Sequence, residues 1–525
     1  MSGFWQMFLD RWQELLELLL EHLNMTSLAV LLSLAIGVPL GLLITKSRPV
    51  ASAVIGVANV MQSIPSIALL AFLVPFIGIG QKPAIIMVVL YALLPIIKNT
   101  YTGITSIDPK VMESAAGIGL TRMQQLFRVQ LPMAAPFIMA GVRISAVTAV
   151  GTVTIAAFAG ARGLGWFINL GLNANDPNLV LLGAIPASIL ALLVDFVLSK
   201  LERAITPEGL KPPDRIVQLS RARRVGRSAT ALALALLMFV VPVGASFAKT
   251  LHREEHTIVV GSTNFTEAII LGYLYSELIS ENTDIAVEEK FNLNGSPLAF
   301  AAIERGDIDM FTDYTGVISP ILLKQPMETD TQKVYDTVVR LMADEHDIEV
   351  SKPLGFSNEY VISASPEAAE KYGLETLSDL IEAAGQLRFG CTTAFTQRED
   401  LLPKMEEDFG IEFKSVTGLE GNIRYQAISS GEVDVTDAFS TDAMTVKVDL
   451  VPLRDDLSFF PPYQAVNLVR EDVFEQYPQL RELLAKLEGA ITTREMAQMN
   501  YAVDVDGENP RNVAREYLKS KGLID

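Results

Sequence analysis

Arg223 to Thr250 reads RRVGRSATALALALLMFVVPVGASFAKT: basic residues, an apolar run, then Ser246 and Ala248 spaced like the small residues of a signal-peptidase site. Segments of this kind open exported proteins, yet this one lies in the middle of 525 residues. The uncharged run from Ser228 to Ala248 is longer than a signal core of roughly 7–15 residues. It reaches the ~20 residues that cross a bilayer. It reads as a start-transfer segment joining a membrane part to an exported part, with cleavage after Ala248 as the alternative.

Charge divides at the same place. Through Ser228 there are 18 Lys and Arg against 11 Asp and Glu; beyond it there are 24 against 50, which gives the overall −19. Mean hydropathy is +0.32, high for a wholly soluble chain. The acidic half would repel phosphates, so nucleic acid is not an expected partner. The lone Cys391 excludes an intramolecular disulfide. His22, His252, His256 and His346 do not cluster, and neither a metal nor a cofactor is expected.

Apolar stretches near 26–45, 52–79, 84–104, 133–158, 178–198 and 228–248 read as spans, making 26–198 a membrane domain. The second carries Pro65 and Pro75 and is expected to be kinked or re-entrant. Residues 1–25 mix Glu and Arg with Leu at helical spacing and read as an interfacial amphipathic helix. Basic residues cluster after the first span (Lys46, Arg48) and between the third and fourth (Lys110, Arg122, Arg128). The linker 199–227 holds Lys200, Arg203, Lys211, Arg215, Arg221, Arg223, Arg224 and Arg227. With the N-terminus outside, all three groups fall in the cytoplasm and everything after Ala248 falls outside.

The loop at 108–132 contains ESAAGIGLTRMQQLFRVQLP, Glu113 to Pro132. Its small residues offer a surface that another protein can approach closely, or simply form an ordinary inter-helix loop. Glu113, Ala115, Gly119, Leu131 and Pro132 resemble the EAA loop of ABC importer permeases, with Ser114 where that family usually has Ala. The resemblance implies docking on a cytoplasmic ATPase subunit. A P-loop needs Gly-Lys followed by Ser or Thr, and Gly-Lys occurs nowhere in the chain. ATP hydrolysis is therefore expected in a separate subunit, and this chain is not expected to be an enzyme.

From His256 the periodicity changes. HTIVVGS, IAVEEKF and DIDMFTDY read as strands, and NFTEAIILGYLYSELIS and PLAFAAIERG as helices, the first presenting Ile269, Ile270, Leu274 and Leu278 on one face. This is an α/β alternation. AIERGDIDM (302–310) then returns as AISSGEVDV (427–435), each entering a strand that ends in a polar-aromatic cluster, TDYTG (312–316) and TDAFSTD (436–442). Two such lobes predict a clamshell receptor over 256–525, its ligand beyond the strand ends. Crossovers near 352–362 and 455–465 divide it into lobe I (256–355 and 462–525) and lobe II (356–461).

NFTEAIILG, DYTG, FTQRED, RYQAISSGEVDVTDAFSTD and FFPPY resemble the binding proteins of osmoprotectant ABC importers. Residues 25–525 as a whole resemble the subgroup in which permease and receptor are fused; ergothioneine importers are similar. The resemblance implies a fold in two parts, an α-helical transmembrane permease followed by an α/β two-lobed receptor of the periplasmic-binding-protein kind. It implies glycine betaine, choline or carnitine as cargo, with ergothioneine as the alternative. It also implies two ATPase subunits, a homodimer of this chain and a bacterial cytoplasmic membrane. Ala268 and Ala443 stand where that family commonly has Gln and Gly.

A trimethylammonium group offers no conventional N–H donor and is best held by aromatic faces. The candidates are Phe265, Tyr314, Tyr360, Phe395, Phe439 and Tyr463, with Tyr314 and Phe439 at equivalent places after the repeated strands; the alternative for these rings, Phe265 and Phe395 above all, is packing in a lobe core. Thr315, Ser440 and Thr441 accompany them. Arg398 is a candidate for the ligand carboxylate, or a partner of Glu399 or Asp400. Asn264 and Thr266 sit at a helix start, suited to an anion or to N-capping. Asp437 and Asp442 face the cation or solvate the lobe edge. A sensory receptor would need a cytoplasmic signalling module, and an esterase-type enzyme a G-x-S-x-G elbow; neither is in the sequence.

Overall fold

The computed structural model describes residues 2–174, 176–207, 221–251, 257–326, 328–398, 400–419 and 423–525. Lys211, Arg215, His252, His256 and Glu399 lie outside the described residues. The chain divides into a helical unit (1–169 and 179–253) and a second unit that includes 254–525.

Among the described residues of the helical unit, five helices are long and apolar enough to cross a membrane: Trp12–Ile44, Gln81–Thr105, Arg122–Phe158, Pro177–Ile205 and Ser228–Ser246. A sixth candidate is the pair Arg48–Ser63 and Ser66–Ile77, bent by 96°. The bend falls at Pro65, whose ring disfavours helix in the residue before it. Three of these helices pack backbone to backbone through small residues. A Cβ on Gly41 would lie 2.6 Å from the Thr100 side chain, and one on Gly141 2.7 Å from the Pro95 carbonyl oxygen. Helices that gain nothing from expelling water pack by such close approach.

Two boundaries differ from the sequence expectation. Residues 1–25 do not form a separate interfacial helix: a short Ser2–Asp10 helix precedes one that runs unbroken from Trp12 to Ile44. Leu15, Leu18 and His22 are buried, and His22 Nε2 lies 3.0 Å from the Val150 carbonyl oxygen. Glu17 and Glu21 face Arg162 at 3.9 and 3.6 Å, so charges that look interfacial have a partner far along the chain. The linker 199–227 is also not a separate element where described. One helix continues to Ile205, and another begins at Arg221 and leads into the last span.

Among its described residues the second unit has ten strands: β1 Thr257–Thr263, β2 Ala286–Leu293, β3 Met310–Tyr314, β4 Ile348–Val350, β5 Tyr360–Ala364, β6 Arg388–Cys391, β7 Ser415–Gly418, β8 Val435–Phe439, β9 Val451–Pro452 and β10 Ala465–Arg470. They form two five-stranded sheets with orders β2-β1-β3-β10-β4 and β7-β6-β8-β5-β9. In each, one strand runs antiparallel to the repeated one: β10 beside β3 in lobe I, β5 beside β8 in lobe II.

The sequence repeat is a repeat of hydrogen bonds. Gly306 and Gly431 both adopt positive φ, 71° and 73°, where a side chain would be strained. Asp307 N donates to Ala302 O at 2.8 Å and Glu432 N to Ala427 O at 2.9 Å. The Asp309 carboxylate accepts from Val259 N and that of Asp434 from Arg388 N, each at 2.8 Å. The helix Thr266–Asn282 departs from expectation. It is buried all round from Glu267 to Ile279 rather than on one face, and Glu277 pairs with Arg511 of the C-terminal helix at 2.9 Å.

Two crossovers, 351–359 and 453–464, join the lobes and pair with each other. Asn358 N donates to Tyr463 O at 2.9 Å, and Ser357 forms an antiparallel bridge with Gln464. Residues 360–362, expected within the first crossover, are already strand β5 of lobe II.

Candidate functional site

The repeated strands β3 and β8 end at Tyr314 and Phe439, and each end carries an aromatic group. On lobe I, Tyr314 stacks with Phe265, centroids 6.1 Å apart; Tyr314 is buried, Phe265 exposed. On lobe II, β5 pairs Tyr360 directly with Phe439. Around the Tyr360 ring stand Phe439 at 4.5 Å, Tyr463 at 5.6 Å and Phe460 at 5.8 Å. The Arg398 guanidinium lies 5.8 Å from the same ring and donates to the Tyr463 hydroxyl at 3.1 Å. Aromatic faces beside a fixed positive charge suit a ligand with a cationic and an anionic end.

Several expected residues do other work. Phe395 is fully buried against Phe389, centroids 5.4 Å apart, and belongs to the lobe II core, although its ring also reaches Tyr360 at 5.6 Å. Asp437 is fully buried and accepts from Thr392 N at 3.0 Å and Thr392 Oγ1 at 2.7 Å. It faces the buried Arg424 at 3.6 Å, and burial raises its pKa against that charge. Asp442 is held by Arg424 at 2.7 Å and by the Tyr425 hydroxyl. Arg398 is paired with Asp400. Ser440 Oγ donates to Ser357 O at 2.8 Å and Thr315 Oγ1 to Pro462 O at 3.0 Å, so both stitch the crossovers.

Neither Asn264 nor Thr266 caps the helix at 266. Its N-cap is Phe265, without a side-chain cap bond. Thr266 Oγ1 donates to Asp504 at 2.6 Å and Asn264 Nδ2 to Asn294 at 3.5 Å. The chain's own Glu267 occupies the first turn, where a carboxylate is favoured. Ala443 starts a helix behind Asp442 without positive φ, so the turn there tolerates a Cβ. Ala268 is buried in the helix.

A hub that sequence reasoning missed joins the lobes. Glu267 accepts from the Tyr314 hydroxyl, from Asn358 Nδ2 at 3.0 Å and from Asn500 Nδ2 at 2.7 Å. Asn500 also donates to the Thr441 carbonyl oxygen, across in lobe II, at 3.0 Å. Burial raises the Glu267 pKa against hydrogen bonds from Thr441, Tyr314 and Asn500. Asp504, next to it, is pushed up to about 7, first by burial and then, against the Thr266 hydrogen bond, by the charges of Asp442 and Glu267. Only NFTE hinted at Glu267; Asn500 lies on a helix with no repeat counterpart.

In the helical unit, the loop 108–132 folds into Pro109–Gly117 and Arg122–Gln125, the first capped by Asp108, the second by a Thr121–Gln124 capping box. Gly119 turns the chain at φ 84° between them. Ala115 is buried and Leu131 opens the following helix, with Pro132 in its first turn, where proline is tolerated. Glu113 lies on the first short helix. Ile118, Met123 and Phe127 are 79%, 63% and 60% exposed, an apolar group that the residue pattern did not single out.

Residues 256–520 match the family described as the substrate binding domain of ABC-type glycine betaine transport system. Residues 37–207 match the binding-protein-dependent transport system inner membrane component. The chain is 32% identical to the ergothioneine transport permease/ergothioneine binding protein EgtU of Helicobacter pylori (strain G27), covering 95% of this chain and 88% of that one. It is 48% identical to the carnitine transport permease protein OpuCB of Listeria monocytogenes, over 36% of this chain and 88% of that one. A solved glycine betaine/carnitine/choline ABC transporter structure matches at 30% identity and TM-score 0.48, covering 51% of this chain and all of that one.

Proposed function

Because the chain belongs to the quaternary-amine ABC importers in which permease and substrate-binding protein are fused, we propose that its cleft captures a trimethylammonium compound for uptake. The observation that carries this is Tyr360 ringed by Phe439, Phe460 and Tyr463 with Arg398 beside it. The aromatic faces take the cation, each contact contributing about 0.5–2 kcal/mol. Arg398, whose charge Asp400 offsets, offers a carboxylate at the other end the guanidinium N–H groups that Asp400 leaves. Glycine betaine and carnitine fit this description; choline, which ends in a hydroxyl, uses only the aromatic faces. Ergothioneine is the second reading, favoured by the likeness to EgtU along nearly the whole chain.

The family associates with an ATPase subunit and a small-molecule ligand. For this chain we place the loop 108–132 on that ATPase in the cytoplasm, with Glu113, Ala115, Gly119, Leu131 and Pro132 shaping it. The receptor lies outside a bacterial cytoplasmic membrane. Two copies of the chain form the pore above two ATPases, which hydrolyse the ATP. Ligand closes the lobes about 351–359 and 453–464, a hinge motion, and the tether keeps the receptor concentrated over its own pore.

The test is calorimetric titration of the full chain in lipid nanodiscs with glycine betaine, carnitine, choline and ergothioneine separately. Binding of at least one, weakened about tenfold or more by Tyr360→Ala, supports the reading. No binding by any of the four overturns it.

A further inference from the structure

The seam between the lobes holds two carboxamides with an uncommitted end. Asn358 Nδ2 donates to Glu267 Oε1 and Asn500 Nδ2 to Glu267 Oε2. The amino groups turn toward Glu267 and, for Asn500, also toward the Thr441 carbonyl oxygen, a group that only accepts, which leaves the amide oxygens pointing away. Oδ1 of Asn358 and Oδ1 of Asn500 are both shut off from solvent and have no partner. Ser357 Oγ, one residue away, is also enclosed and unpartnered. Buried acceptors are nearly always satisfied, so several exceptions in one seam need a reason.

Their position supplies one. Asn358 is bonded through its backbone to Tyr463 of the lobe II aromatic group, and through Glu267 to Tyr314 of the lobe I pair. Asn500 bridges to Thr441, two residues beyond Phe439. The free oxygens thus lie in the hub between the two aromatic groups. We infer that Asn358 and Asn500 accept hydrogen bonds from N–H or O–H groups of the cargo, so that the cleft selects a trimethylammonium compound bearing a donor over one bearing none. This rests on the reading of the cleft as a trimethylammonium site. Aromatic faces do not distinguish such compounds from one another. A ligand without a donor leaves both acceptors enclosed and unpaired, the kind of mismatch polar sites reject most strongly.

The four candidate ligands separate by this rule. Glycine betaine has no donor, choline and carnitine have one hydroxyl each, and ergothioneine carries ring N–H. Titration of the full chain in nanodiscs is expected to rank affinity in order of donors, ergothioneine tightest and glycine betaine weakest, at least about tenfold apart. Asn358→Ala and Asn500→Ala are expected to bring that ratio within about threefold, on top of whatever loss all four ligands share when Glu267 gives up a partner. A merely structural role would weaken all four ligands alike. Glycine betaine binding as tightly as the donor-bearing ligands overturns the inference even where a variant fails to fold. Loss of binding for all four in the unmutated chain sinks the cleft reading itself, and this inference with it.

Discussion

Arg424 Nε lies 2.9 Å from the Asp437 carbonyl oxygen and 3.6 Å from its carboxylate, with both side chains buried. The same guanidinium holds Asp442, so one cation fixes the end of strand β8 and the start of the helix behind it. Phe439, between Asp437 and Asp442 in sequence, donates its backbone N–H to the Asp442 carboxylate at 3.2 Å.

Removing that cation leaves Asp437 buried and unpaired. Arg424→Ala is expected to destabilise the receptor by about 3–5 kcal/mol, the usual result of breaking a buried pair by one partner. Chemical denaturation checks it; a loss below about 1 kcal/mol would show that Thr392 satisfies Asp437 without Arg424.

Two phenylalanines proposed for one cage should behave differently. Phe395→Ala empties a core position and is expected to cost about 3–5 kcal/mol of stability. Phe439→Ala is expected to cost less stability and to weaken ligand binding by about 2- to 30-fold, the range of one cation–π contact. Paired denaturation and titration data distinguish them, and a reversed pattern would place Phe395 in the cage.

The hub predicts a pH dependence. Asp504 titrates at about 7 in the folded receptor and near 3.9 unfolded. Between these values the folded state holds more protons. Stability is therefore full below about pH 4 and falls as pH rises to about 7. Asp313, also raised to about 7 by burial, acts in the same window. Asp504→Asn keeps the acceptor for Thr266 and removes the charge. It is expected to raise the melting temperature at pH 8 and to flatten, not abolish, the fall between pH 5 and 8. An unchanged profile would mean that Asp504 is ionised when folded.

What the sequence made legible was local. Gly306 and Gly431 announce the repeat because a left-handed turn demands glycine within a few residues of a strand. Asp309 and Asp434 recur because each bonds the backbone of a neighbouring strand. Glu267 and Asn500 are 233 residues apart, and no pattern in either segment points to the other. The charges of Trp12–Ile44 looked interfacial for the same reason, since Arg162 joins them only after folding. Asp437 seemed poised for a cation because an acidic residue beside aromatics reads the same whether it faces a cleft or a buried arginine.

The loop 108–132 yields the last prediction. Ile118, Met123 and Phe127 are exposed on a segment whose caps make it rigid. Burying an apolar side chain of that size in a partner's groove contributes about 1.5–3 kcal/mol. A charge there would instead have to be desolvated. Ile118→Asp touches neither receptor lobe nor the capping residues. Ligand affinity is expected to stay unchanged while ligand-stimulated ATP hydrolysis by the assembled transporter falls at least about tenfold. The measurement is the ATPase rate of the reconstituted complex with and without saturating ligand. Full stimulation in Ile118→Asp and Phe127→Asp alike would overturn the loop as the docking site for the ATPase.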